Sequence, residues 1–307
     1  MILLLDILII LACMAGLWVG ANWLVDSSVT VAKKIGISEL AIGLTVVSIG
    51  TSAPEFAVTI LSAIKGHANI SVANVVGSNI FNLGFILGGV ALIRPVITSG
   101  IIVKRDGSVL ILSTFLLLFI FRDLHLSFAE GILLLSLLFC YIFSLFYFRE
   151  ADSDETASGT FNWYQPVKLL TGLTAILLSS HFMVDSAVTI ARFFNISDWV
   201  IGVTIVALGT SIPELSTSLV AVLRGHYGLS AGNLIGSDIF NLLGVLGFAG
   251  AMTSLTVSPA AYSSLLLLCG MVIIVVIMMR TGWKISRLEG GILLCIGISR
   301  WVVDFSG

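Results

Sequence analysis

The chain has 307 residues, 58% of them hydrophobic and only 10% charged, with a formal net charge of −2. A soluble domain covers its surface with about 25% charged residues, so a mean hydropathy of +1.12 excludes a water-soluble chain and requires lipid to supply much of the exterior. The near-neutral charge leaves no basic face for nucleic acid, and Cys13, Cys140, Cys269 and Cys295 stand singly in apolar runs, without the spacing of a disulfide framework or a zinc site.

An apolar run of about 20 residues can cross a bilayer as a helix. Such runs cover approximately residues 2–31, 38–64, 71–93, 107–121 and 128–148. After the polar stretch Arg149–Thr160 they resume at approximately 166–191, 198–223, 229–254, 260–279 and 287–303. The first run lacks the basic n-region and cleavage site of a signal peptide and is kept as a helix. The pattern predicts an all-α integral membrane protein with ten spans and both termini on one side. Lys65, Arg122, Arg192 and Arg300 fall on that side, and the other eleven Lys and Arg residues on the opposite one. The positive-inside rule makes the eleven-residue side cytoplasmic and both termini extracellular.

The two halves repeat. Residues 16–88 match 175–247 at a constant offset of about 159 without gaps, a sign of internal duplication. Val25-Asp26-Ser27 recurs as Val184-Asp185-Ser186, Gly50-Thr51-Ser52-Ala53-Pro54-Glu55 as Gly209-Thr210-Ser211-Ile212-Pro213-Glu214, and Gly66-His67 as Gly225-His226. Gly77-Ser78-Asn79-Ile80-Phe81-Asn82 recurs as Gly236-Ser237-Asp238-Ile239-Phe240-Asn241. Five spans per half is an odd number, so the second copy enters the membrane from the opposite side. The organisation expected is a first inverted repeat over 1–148, an acidic cytoplasmic linker over 149–165 and a second repeat over 166–307. Inverted repeats with a midplane site are typical of secondary transporters.

Glu55 and Glu214 lie well inside the second and seventh spans. A lone carboxylate at the bilayer centre costs on the order of 3 kcal/mol or more and requires a partner. No Lys or Arg lies near either in sequence, so a cation from solution is the natural one. Pro54 and Pro213 are expected to break each helix one residue before the Glu and free backbone oxygens. Ser48, Thr51, Ser52 and Glu55 share one helix face, and Ala207, Thr210, Ser211 and Glu214 form the second copy. Asn74, Ser78 and Asn82, and again Asn233, Ser237 and Asn241, add stripes at spacing four. These are hard oxygen donors, suited to Ca²⁺, Na⁺ or Mg²⁺ rather than copper or zinc. Taken singly, Pro, Ser and Thr in a membrane helix are kinks and packing residues; the duplication of the whole pattern is what points to a site. His67 and His226 read mainly as loop residues, and Asp26 and Asp185 as structural.

The pair GTSAPE…GSNIFN and GTSIPE…GSDIFN resembles the two alpha-repeats of the sodium/calcium exchangers, in the cation/calcium antiporter superfamily, of the prokaryotic type without a large regulatory loop. The resemblance implies a ten-helix fold with four central ion-binding helices, against which the first and sixth slide during alternating access. It implies a Ca²⁺ site made by Glu55 and Glu214 with the carbonyls of Thr51 and Thr210. Flanking Na⁺ sites would lie near Ser48, Ser52, Glu55 and Ser237, and near Ala207, Ser211, Glu214 and Ser78, with Asn82 and Asn241 bordering a central position. Potassium-dependent relatives carry Asp where this chain has Asn241, which argues against K⁺ co-transport, and Asp238 replaces the Asn of the matching position 79, where packing is the favoured role. The function implied is Na⁺/Ca²⁺ antiport, with H⁺/Ca²⁺ antiport the nearest alternative and a cation channel a remote one. No enzyme activity and no cofactor are expected. The partners are the transported Ca²⁺ and Na⁺ and the lipid bilayer, and a functional monomer is consistent with the pattern.

Overall fold

The computed structural model describes residues 2–147, 163–195 and 207–306. The described residues are mostly helical. In order it forms α1 (Ile2–Ile35), α2 (Glu39–Thr51), α3 (Ala53–Ile64), α4 (Ala68–Ile93), α5 (Gly107–Ile120), α6 (Phe128–Tyr147) and α7 (Gln165–Phe193). There follow α8 (Ala207–Thr210), α9 (Ile212–Leu223), α10 (Tyr227–Met252), α11 (Pro259–Arg280) and α12 (Arg287–Ser306). Helix therefore occupies every expected span, although residues 198–206 of the seventh, and the expected linker Arg149–Thr160, lie outside the described residues. Among the described residues six helices are long and apolar enough to cross a membrane, or seven if α2 and α3 count as one bent span. The stretch α5 has only 14 residues, although a wide π-helical turn at Ile102–Asp106 precedes it, and α12 carries Glu289, Arg300 and Asp304.

Local chemistry sets the ends. Ser38 caps α2 by accepting from the Ala41 N–H at 3.2 Å. Ser127 and Glu130 form a capping box at α6, and Ser286 and Glu289 repeat it at α12: each Glu accepts from the Ser N–H, at 2.8 and 2.7 Å, while each Ser accepts from the Glu N–H at 3.3 Å. Gly66 and Gly225 follow α3 and α9 with φ of 77° and 87°, the left-handed conformation in which glycine ends helices.

Two short antiparallel pairings join the halves. Val96–Ile97 (β1) pairs with Lys284–Ile285 (β4), and His125–Leu126 (β2) with Leu255–Thr256 (β3). At the offset of 159, positions 96–97 correspond to 255–256, and 125–126 to 284–285. Each strand thus pairs with the counterpart of the other strand in its own half.

The apolar interior is divided. One cluster fills the space among α4, α5, α6, α10, α11 and α12, with Leu87, Leu110, Leu134, Leu246, Leu268 and Leu293 in it. A separate one joins α1 to α7 through Ala21, Leu24, Leu169 and Ile176, and reaches Ile42 and Val220 of the central helices. Where α1 crosses α7 the backbones touch: a Cβ on Gly20 would stand 2.9 Å from the Gly172 carbonyl, and one on Gly172 would stand 2.8 Å from the Leu24 nitrogen. Asp26 of α1 makes ion pairs with Lys168 of α7 at 3.3 Å and with Arg224 after α9. This gives it the structural role expected from sequence. Large apolar side chains such as Leu11, Leu112, Phe139 and Leu170 point outward, as lipid contact requires.

Candidate ion-binding site

Polar side chains concentrate where α2, α3, α4, α8, α9 and α10 meet. The break in each GTSxPE segment builds this centre. The axes of α2 and α3 differ by 50°, and the break falls at Ser52, whose φ and ψ are −80° and 11°. Ser211 takes the same part before α9, at −94° and 6°. This corrects the expectation of a break immediately before each Glu, for Ala53 and Ile212 are already helical. The Pro54 ring clashes with the carbonyl four residues back, at Gly50, and the chain relieves the clash between the two. Proline at the start of the second segment needs no N–H partner.

Glu55 and Glu214 are buried, at 1% and 0% exposure. Each is held by a serine of the other half. Ser52 Oγ donates to Glu214 Oε1 at 2.8 Å, and Ser211 Oγ donates to Glu55 Oε1 at 3.0 Å. Ser237 Oγ lies 3.4 Å from Glu214 Oε1 and 3.5 Å from the Ser48 carbonyl. Its reach depends on Gly236, where a Cβ would stand 2.7 Å from Leu44 Cα and 2.8 Å from Ser48 Oγ. Among the described residues neither glutamate pairs with a cationic side chain.

The second oxygen stripe divides by role. Asn74 Nδ2 donates to Thr59 Oγ1 at 2.9 Å and to the Glu55 carbonyl at 3.2 Å. Asn233 Nδ2 donates likewise to Ser218 Oγ at 2.9 Å and to the Glu214 carbonyl at 3.4 Å, and its Oδ1 accepts from Thr51 Oγ1 at 3.1 Å. These asparagines therefore brace the segments that carry the glutamates. Thr59 and Ser218, one turn beyond each Glu, complete the brace and escaped the sequence reading, although the repeat spacing marks them. Asn82 and Asn241 lie in π-helical turns, Asn82–Ile86 and Phe240–Val245, which often mark functional sites. Asn82 Nδ2 donates to Asp238 Oδ1 at 3.0 Å, and Asn241 Nδ2 to Asn79 Oδ1 at 3.1 Å. Ser48, Thr51, Ser52, Ser78 and Ser211 are buried, and Thr210 is half-buried at the end of α8. Ala207 opens α8, and its side chain lies outside the described residues.

Among the described residues, four acceptor oxygens of the candidate ligands are buried without a hydrogen-bond donor: Glu55 Oε2, Glu214 Oε2, Asn82 Oδ1 and Asn241 Oδ1; so is Asp238 Oδ2, on the carboxylate that holds the Asn82 amide. Buried acceptors normally have donors. A group of them around two carboxylates has the composition of a hard-cation site. Elsewhere, His226 Nδ1 lies 2.9 Å from Glu39 Oε1, which ties the start of α10 to the start of α2, and His181 lies 3.4 Å from Asp185.

The sodium/calcium exchanger protein family profile matches residues 5–147 and 164–297. The chain belongs to this family. Its prokaryotic-type relatives include a candidate antiporter, CaxA, of Alkalimonas amylolytica, 36% identical over 93% of this chain and 94% of that one. They also include the sodium/calcium exchanger MaX1 of Methanosarcina acetivorans, 33% identical over 98% of both chains. Structures of the sodium-calcium exchanger NCX_Mj superpose with a TM-score of 0.87 at 30% identity, covering 98% of this chain and 99% of that one. The family is one of transporters, not enzymes, so this exchanger is a membrane protein of the cation/calcium antiporter superfamily.

Proposed function

We propose that the chain exchanges Na⁺ for Ca²⁺ across the cell membrane by alternating access. The observation that carries this reading is the reciprocal pair of serine–glutamate bonds, Ser52 to Glu214 and Ser211 to Glu55, surrounded by acceptor oxygens that have no donor among the described residues. Ca²⁺ would lie between Glu55 and Glu214 with the carbonyls of Thr51 and Thr210. Na⁺ would occupy flanking positions near Ser48, Ser52 and Ser237, and near Ala207, Ser211 and Ser78. Asn82 and Asn241 would face the central position. The names of MaX1 and NCX_Mj, a sodium/calcium and a sodium-calcium exchanger, favour Na⁺ as the coupling ion over H⁺.

The architecture that goes with this function is ten spans in two inverted five-helix repeats, over 1–148 and 166–307, with the linker 149–165 cytoplasmic and both termini outside. Strand pairing supports the inversion. Repeats of parallel topology would bring the equivalent segments 96–97 and 255–256 to one side of the membrane, whereas each pairs with a non-equivalent partner, as inversion requires.

The deciding experiment is Ca²⁺ flux in proteoliposomes under an imposed Na⁺ gradient and, separately, a pH gradient. Uptake driven by Na⁺ and indifferent to the pH gradient is the expected result. Uptake driven by the pH gradient alone would make the protein an H⁺/Ca²⁺ antiporter, and flux without any driving gradient of a coupling ion would make it a leak.

A further inference from the structure

We propose that Asp238 and Asn79 are positioning residues that turn the amides of Asn82 and Asn241 so that both carbonyl oxygens face the transported ion. The inference rests on the site reading above and assigns a task to two residues outside its ligand set. The two ends of an asparagine amide are nearly isosteric, so hydrogen bonds rather than packing decide which end faces which way. Asn82 Nδ2 donates to Asp238 Oδ1 at 3.0 Å. A turned amide would set oxygen against oxygen there. At the matching position of the second repeat Asn241 Nδ2 donates to Asn79 Oδ1 at 3.1 Å. Asn79 is itself fixed, because its Nδ2 donates to the backbone carbonyl of Asp238 at 3.1 Å, an acceptor that cannot be turned round.

The bonds from Asn241 through Asn79 thus end on a backbone carbonyl and have one sense, while the bond from Asn82 ends on a carboxylate oxygen. The outcome is that Asn82 Oδ1 and Asn241 Oδ1, both buried, are left without donors among the described residues. Positions 79 and 238 are equivalent in the two repeats, as are 82 and 241, so each ligand amide is oriented by the other half of the chain. What the role requires of position 238 is an acceptor oxygen, which Asp and Asn both provide.

The test compares Asp238→Leu with Asp238→Asn, and Asn79→Leu with Asn79→Asp, in proteoliposomes. Both the half-saturating Ca²⁺ concentration and the maximal rate are measured. Ca²⁺ binding to the purified protein is measured in parallel. Each Leu variant keeps the branched shape and number of side-chain heavy atoms, removes the acceptor and is expected to raise the half-saturating Ca²⁺ at least tenfold. Each polar variant is expected to stay within threefold of the parent. Leu variants that lower only the amount of folded protein, with half-saturation unchanged, would reduce the two residues to packing. Asp238→Asn as impaired as Asp238→Leu would show that the charge matters rather than the acceptor, and would overturn the proposal. If Asp238→Leu fails to fold, the Asn79 pair carries the same comparison. A parent that binds Ca²⁺ but does not exchange it for Na⁺ would count against the proposed function alone, and the binding order of the variants would still decide this inference.

Discussion

Replacing Glu214 with Gln changes the charge of the site and almost nothing else. Glu214 Oε1 accepts from Ser52 Oγ at 2.8 Å and from Ser237 Oγ at 3.4 Å, and Oε2 has no donor among the described residues. A glutamine that keeps its oxygen toward the serines points its NH₂ group to where Oε2 now stands, facing the ion with a donor. Turned over, it sets the NH₂ against both serines. Either way a cation loses a carboxylate in a site without exposure. Removing one partner of a buried charge pair costs about 3–5 kcal/mol, which at about 1.4 kcal/mol per factor of ten raises half-saturating Ca²⁺ roughly 100- to several thousand-fold. Ser52→Ala removes only one hydrogen bond to a charged group, about 1.5–3 kcal/mol, and should raise it roughly 10- to 100-fold. The assay is Na⁺-driven Ca²⁺ uptake over a Ca²⁺ titration, with protein amount matched by size-exclusion profile. Glu214→Gln within tenfold of the parent, or Ser52→Ala more impaired than Glu214→Gln, would refute the assignment of the carboxylate to the ion.

Other outcomes follow from the same geometry. Gly20→Val should lower the thermal midpoint measurably, because its side chain meets the Gly172 carbonyl and no rotamer avoids it; Asp26→Asn, which loses pairs among partly exposed groups, should lower it less. Na⁺-driven Ca²⁺ flux should proceed without K⁺, since Asn241 is neutral; a strict K⁺ requirement would show that another group supplies that function. If three Na⁺ replace one Ca²⁺ between two carboxylates, the cycle moves one net charge, and an inside-negative potential should favour Ca²⁺ exit by about 2.3 kcal/mol per 100 mV; flux unchanged when valinomycin and K⁺ set the potential would contradict that stoichiometry. In a background lacking the four native cysteines, Ser158→Cys should resist an impermeant thiol reagent in intact cells, and ready labelling would reverse the assigned orientation.

Much of this was legible before any coordinates. Pro, Glu, Asn and His recur in order at a fixed offset, and an apolar alphabet alone does not reproduce them. That located Glu55, Glu214, Ser52, Ser211, Asn82 and Asn241, all of which converge in the structure. Sequence could not say which oxygens were already in use. Asn74 and Asn82 stand on the same stripe, yet one amide braces the Glu55 segment while the other bonds Asp238 and leaves its oxygen without a donor among the described residues. The difference comes from what lies across the helix, Thr59 in one case and Asp238 in the other. Nor does the sequence place the helix breaks at Ser52 and Ser211, because the proline rule names the strained carbonyl and not the residue that yields. The short strand pairings were invisible, being two residues long and held by partners more than a hundred residues away.

The crossed serine–glutamate bonds fix the smallest unit that can work. Each half of the chain brings a carboxylate and a hydroxyl that donates to the opposite carboxylate, at 2.8 and 3.0 Å, shorter than the 3.4 Å contact of Ser237 with Glu214 inside the second half. A fragment ending near Tyr147 would hold Glu55 without Ser211, and one beginning near Trp163 would hold Glu214 without Ser52. A cut between Tyr147 and Trp163 severs none of the hydrogen bonds of the centre. Two fragments made together from such a cut gene should therefore reassemble a working carrier, while either one alone leaves its carboxylate stranded in the membrane.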